Sequence, residues 1–97
     1  MKILAIEHEL DGAPAAQFQA QANNEARKVW DLQQAGIIRE LYFRADRNEA
    51  VLILECDSLQ EADDALACLP YVSDGLICFE TIPLKPYPGF ARLFAES

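Results

Sequence analysis

One acidic residue, Glu25, falls in the middle of an apolar stripe. Phe18, Ala22, Val29 and Leu32 recur at helical spacing, and at about 100° per residue Glu25 lies on the same face. A carboxyl group on the sheet-facing side of a helix is costly unless it is paired or holds a proton. Such a group suits proton transfer. The alternative interpretation is a glutamate at the edge of the stripe, paired with an arginine.

A second candidate set consists of polar residues on predicted strands. Alternation places six of them on the sheet face away from the helices: His8, Glu40, Tyr42, Arg44, Glu55 and Glu80. His8 is a candidate general base near neutral pH, although a lone strand histidine is more often structural. Tyr42 and Arg44 are candidates for holding a substrate carboxylate. Alternatively, Glu40 and Arg44 are members of cross-strand pairs. With its apolar neighbours, this face is a candidate small-molecule pocket.

The elements that must position these residues follow from hydrophobic periodicity. Strands are predicted over residues 2–10, 37–45, 50–56 and 76–82, and helices over 14–35 and 59–69. The order βαββαβ predicts the α+β class, as a ferredoxin-like four-stranded antiparallel sheet with both helices on one face.

Local signals set several boundaries. Gly36 ends the first helix, and Ser58-Leu59-Gln60-Glu61 is a capping box that begins the second. Alternation in the second strand puts Ile38 on the face of Tyr42, away from the helices. The last strand is expected not to continue regularly through Pro83, Pro86, Pro88 and Gly89.

Two helices cannot cover both faces of such a sheet, although its strands carry apolar residues on both sides. An exposed apolar sheet face marks an association surface. We therefore expect a homodimer, or a higher oligomer, in which the sheets pack face to face. Residues 83–97 make an apolar C-terminal arm, and we expect this arm to dock on its own subunit or on a neighbour.

Composition narrows the protein class. With 97 residues, 52% of them hydrophobic, the chain is expected to form one domain, residues 1–97. Sixteen acids against eight bases, a net charge of −8, argue against nucleic acid and anionic membranes. The N-terminus meets acid too early for a secretory signal, so we expect a cytoplasmic protein. The three cysteines are dispersed, and we expect them to be small buried hydrophobes. With only one histidine besides them, the sequence predicts no metal site. It also contains no cofactor-binding motif.

Three segments resemble the muconolactone isomerase family of dimeric α/β barrels. They are the helix end and second strand over residues 31–42, the "LP" helix stop over 67–72 and the "PL" exit over 79–86. The resemblance implies a proton shift within an unsaturated lactone, without metal or cofactor, in aromatic compound catabolism. The family's helix acid falls on Glu25, and the cations that flank it fall on Asn24 and Ala26.

These observations favour an isomerase-like enzyme that acts on a small organic acid or lactone. Glu25 would be the proton shuttle, with His8, Tyr42 and Arg44 as assisting or substrate-binding groups. The alternatives are a non-catalytic dimeric module that binds a small metabolite, a monooxygenase-like barrel protein, and a subunit with a role in assembly.

Overall fold

The computed structural model describes residues 1–95, and the order of its main elements matches the prediction. The bounds are β1 (Lys2–Glu9), α1 (Ala15–Gln34), β2 (Ile38–Phe43), β3 (Ala50–Glu55), α2 (Leu59–Ala67), α3 (Pro70–Ser73) and β4 (Ile77–Leu84). A 3-10 turn over Gly89–Leu93 follows. The sequence pattern did not predict α3 or this turn. Residues 96 and 97, the end of the predicted arm, lie outside the described residues.

The sheet has the order β2-β3-β1-β4, and every neighbouring pair is antiparallel. This arrangement confirms the ferredoxin-like α+β fold. One face packs against the helices and forms a core that includes Ile3, Ala5, Leu52 and Leu54 from the strands and Leu32, Ala62 and Leu66 from the helices. The alternation of buried and partly exposed residues along β1 and β3 therefore matches a sheet that is covered on one side.

Within the described residues 1–95, no helix lies over the opposite face of the sheet. Its apolar residues are only half-buried: Leu4, Ile6, Val51, Ile53 and Ile82. We call this set the open face. Because these side chains alternate with core residues on the two central strands and on β4, the open face is a contiguous apolar surface.

A β-bulge corrects one prediction in β2. The register shifts between Ile38 and Glu40, so that Arg39 is the extra residue. Ile38 pairs with Leu54 and is buried in the core, so its predicted position on the face of Tyr42 is wrong. After the bulge, Tyr42 pairs with Val51 on the open face, as the alternation predicted.

The predicted helix boundaries have the expected chemistry. Gly36 follows α1 with φ of +80°, a conformation that favours glycine. The Ser58 hydroxyl accepts a hydrogen bond from the Glu61 backbone N–H at 3.1 Å. The Glu61 carboxylate accepts from the Asp57 N–H at 3.0 Å, one residue before the position that a standard capping box uses.

The interpretations of Pro83 and of the cysteines require correction. Pro83 lies within β4 and pairs with Ile3. A proline is tolerated there because β4 is an edge strand, and no neighbouring strand needs an N–H donor on its outward side. Cys56 is buried as expected, whereas Cys68 and Cys78 are exposed. Cys78 is exposed because it lies on the uncovered side of β4, one residue away from the buried Ile77.

The arm keeps its apolar side chains largely exposed. The exposed fractions are 68% for Tyr87, 65% for Phe90, 74% for Leu93 and 83% for Phe94. The rings of Tyr87 and Phe90 pack edge to face on each other, with 5.0 Å between their centroids. The docking of the arm stays a prediction.

Over residues 1–95, no helix combines the length and the apolar character that crossing a bilayer requires.

Candidate functional site

A cavity of about 520 Å³ lies between α1 and the helix-covered face of the sheet. Its wall is mainly apolar, with Ala22, Ala26 and Val29 from α1 and with Leu52 from β3. Exposed side chains also line it, including Trp30, Tyr42 and Phe43, so the cavity opens to solvent. Its volume is that of an ordinary small-molecule site.

Glu25 lines this cavity from the sheet-facing side of α1. Its Oε1 accepts a hydrogen bond from the backbone N–H of Tyr71 at 2.9 Å, in the first turn of α3. Among residues 1–95, Oε2 has no hydrogen-bonding partner, and no arginine pairs with this carboxylate. Burial raises the pKa of Glu25, and the Tyr71 N–H opposes that shift. The group therefore holds its proton to a higher pH than an exposed glutamate does.

Packing between α1 and α3 holds Glu25 against Tyr71. The side-chain amides of Gln17 and Gln21 both donate to Asp74 Oδ2, at 2.9 Å and 3.0 Å. The Tyr71 hydroxyl donates to the Phe18 carbonyl at 3.2 Å, and the two rings meet edge to face. The carboxyl group is thus positioned by two elements that are fixed to each other.

A second acid, Glu7, lines the same cavity and was not singled out from the sequence. It is 9% exposed, and its Oε1 accepts a hydrogen bond from the Ala50 N–H at 3.3 Å. Burial is the main reason that its pKa is raised, and the negative charges of Glu49, Glu25 and Glu9 add to the shift. The sequence did contain a signal for its burial. Side chains alternate along a strand, so Glu7 lies on the same face of β1 as the buried Ile3 and Ala5.

The burial of Glu7 leads to a prediction about stability. A raised pKa means that the folded state binds the proton more tightly than the unfolded state. Its favourable contribution is complete below the ordinary value of 4.5 and is lost as pH rises through the folded-state pKa. We expect Glu7→Gln to increase the free energy of unfolding at pH 7 by about 1 kcal/mol, with little change near pH 4.

Urea denaturation of both proteins at the two pH values measures this effect. Asp31→Asn is the matched control, since it removes an exposed negative charge from α1 outside the cavity. An equal gain for Glu7→Gln at both pH values, or the same pH-dependent gain for Asp31→Asn, contradicts the prediction.

The other sequence-predicted site residues do not converge on Glu25. His8 lies on the uncovered side of β1, and its Nε2 is 3.5 Å from Glu80 Oε1. Arg44 binds Asp46 through two hydrogen bonds, of 2.9 Å and 2.6 Å. These two residues are not part of the cavity wall. The cavity lies on the helix side of the sheet, not on the open face where the polar strand residues were expected to form a pocket.

Tyr42 lines the cavity, although the sheet register pairs it with Val51 on the open face. Its hydroxyl donates to Glu40 Oε1 at 2.9 Å. This hydrogen bond to the carboxylate is the main reason that the pKa of Tyr42 is raised. The hydroxyl is therefore engaged away from Glu25, and a substrate-binding role for Tyr42 stays a prediction.

Comparisons with known proteins agree with the fold. A family model described as muconolactone delta-isomerase matches residues 4–89. No protein with a curated description matches the sequence. A crystal structure of muconolactone isomerase is similar, with a TM-score of 0.72, 21% identity, and coverage of 91% of this chain and 92% of that one.

A second solved structure is also similar. It is a 5-chloro-2-hydroxyhydroquinone dehydrochlorinase from Burkholderia phenoliruptrix in complex with 2,5-dihydroxybenzoquinone. The TM-score is 0.61 at 19% identity, with 88% of this chain and 94% of that one covered. At these identities the two structures support the fold alone.

Proposed function

The chain belongs to the muconolactone delta-isomerase family, and from this premise we propose that it shifts a proton within a small unsaturated lactone or related carbonyl compound. The substrate would occupy the cavity beside Glu25, which would carry the proton. The sequence-based expectation of a small organic acid or lactone is here narrowed to the carbonyl compound that such a shift requires.

One observation carries the proposal. Glu25 presents a carboxyl group with a raised pKa and a free Oε2 to a mainly apolar cavity. A general base works best when its pKa approaches the working pH, and burial moves Glu25 in that direction. The hydrogen bond from the Tyr71 N–H orients the group without neutralising it.

The proposed reaction is balanced without any co-reactant. The Glu25 carboxylate takes a proton from the carbon next to the double bond, and the electron pair moves towards the carbonyl oxygen. The protonated Glu25 then returns the proton to a different carbon of the same conjugated unit. The double bond changes position, and Glu25 ends in its starting state.

Proton NMR in heavy water tests the proposed function. A panel of five-membered lactones with a β,γ double bond should convert to the α,β isomers faster than in buffer, with solvent deuterium entering the newly protonated carbon. Heat-denatured protein provides the blank. Rates equal to the blank for the whole panel would contradict the isomerase proposal.

A non-catalytic binding module is the second candidate, and one contact favours it. The Glu25 carboxylate accepts a backbone N–H in the first turn of α3, which is a structural role in itself. A protein of this kind would bind members of the same panel, as seen by saturation-transfer NMR, without any deuterium incorporation.

For the quaternary structure we propose a homodimer formed through the open face. The half-buried Leu4, Ile6, Val51 and Ile53 stand on the two central strands, where a second copy of the sheet would cover them. The exposed aromatic residues of the arm would then have a neighbouring subunit to contact.

A further inference from the structure

The ionisable residues that line the cavity are all acidic, and none of them can carry a positive charge. Among residues 1–95, its carboxyl groups are those of Glu7 and Glu25. Two tyrosines also line it, but the Tyr42 hydroxyl is bound to Glu40 and the Tyr71 hydroxyl to the Phe18 carbonyl. Within residues 1–95, no lysine, arginine or histidine lines the cavity. Glu25 contributes to the raised pKa of Glu7, so the two groups lie close enough for their charges to interact.

The arginines of the β2–β3 turn are already paired. Arg44 binds Asp46 and lies 3.9 Å from a Glu49 oxygen, and Arg47 lies 3.5 Å from the same oxygen. Glu49 is itself buried, with 7% of its surface exposed, and accepts the Glu9 backbone N–H at 2.9 Å. These cations therefore compensate Glu49 and Asp46 and do not reach into the cavity wall.

From this charge distribution we infer that the cavity selects an uncharged ligand, and that Glu7 is the specificity residue that excludes a ligand carboxylate. The inference rests on the proposed function only in taking this cavity as the ligand site. It narrows the substrate class to neutral lactones and carbonyl compounds, including those with hydroxyl or amide donors.

The physical reason is the cost of a third acid in a mainly apolar space. A bound carboxylate would lose its hydration and gain no cation in return. Two carboxyl groups already repel each other there, so an anion would bind only with proton uptake by one of the three groups. A neutral ligand avoids this cost, and its hydroxyl or amide donors find acceptors on Glu7 and Glu25.

Two isosteric probes test the inference. One is an unsaturated five-membered lactone with a carboxymethyl group, and the other is the same lactone with a carbamoylmethyl group. Titration calorimetry at pH 7.5 measures the dissociation constant of each. We expect the wild-type protein to bind the amide at least about tenfold more tightly than the carboxylate. Glu7→Gln should bring the two constants within about twofold, mainly by tightening carboxylate binding.

Asp31→Asn again serves as the control, because it changes net charge by the same amount outside the cavity. It should keep the wild-type preference for the amide. The inference is overturned if the wild type binds the carboxylate as tightly as the amide. It is also overturned if Asp31→Asn and Glu7→Gln change the ratio equally.

The two proposals fail separately. A protein that prefers the amide but incorporates no deuterium into the lactone panel supports the charge selection and overturns the isomerase. A protein that incorporates deuterium but prefers the carboxylate supports the isomerase and overturns the charge selection.

Discussion

Replacing Glu25 by glutamine is expected to slow lactone isomerisation by about 10²–10⁴-fold, the range in which a positioned acid or base contributes to rate. The amide keeps an oxygen that can accept the Tyr71 N–H, so the contact with α3 survives. It cannot accept a proton from carbon and return it. Because burying a neutral amide costs less than burying a carboxylate, the variant should fold at least as stably as the wild type.

Two comparisons make this result specific. Glu25→Ala should be equally slow but should also lose about 1 kcal/mol of stability, since it removes the acceptor for the Tyr71 N–H. In the wild type, the rate should rise with pH through a pKa above 4.5, because only the ionised carboxylate can take the proton. A Glu25→Gln variant that isomerises at the wild-type rate removes Glu25 from the mechanism.

The sequence predicted the face of Glu25 because helical periodicity is a strong local signal. Phe18, Val29 and Leu32 define the stripe, and a residue at a known angle between them must point towards the sheet. The partner of Glu25 was not predictable in the same way. It is a backbone N–H in a four-residue helix, which is too short to show any periodicity.

Two further differences from the prediction come from the strands. The alternation of side chains along a strand breaks at a bulge. Because the bulge lies between Ile38 and Glu40, the alternation of Leu41 and Phe43 assigns Ile38 to the wrong face of the sheet. Glu7 was missed for a different reason. Its position on the covered face follows from Ile3 and Ala5, but its burial depends on how closely β3 and α1 approach, which is a tertiary property.

The site also lies on a different side of the sheet from the one that the strand residues suggested. Sequence alternation correctly placed His8 and Glu80 on the same face of the sheet, where His8 Nε2 lies 3.5 Å from Glu80 Oε1. Alternation cannot tell which face has room for a ligand, because that depends on the gap between α1 and β2. Polar residues of the open face are therefore better candidates for contacts between subunits than for contacts with substrate.

Replacing Ile53 by lysine is expected to convert the proposed homodimer into monomers. Ile53 is half-buried on the central strand β3, between Leu4 of β1 and Glu40 of β2 in the sheet register. In a symmetric interface each substitution occurs twice, so two isoleucines are lost and two ammonium groups are buried near each other. We expect the dissociation constant to rise by at least about 100-fold.

The monomer itself should remain folded, because the open face is partly solvated and the new lysine lies opposite Glu40. Sedimentation equilibrium at micromolar concentration should give twice the 10.8 kDa chain mass for the wild type and a single chain mass for Ile53→Lys. Ala20→Lys, an exposed position on α1, adds the same charge and should leave the dimer intact. A wild type that sediments as one chain overturns the proposed dimer. An Ile53→Lys variant that associates as tightly as the wild type shows that the contact uses another surface, for which the exposed arm is then the first candidate.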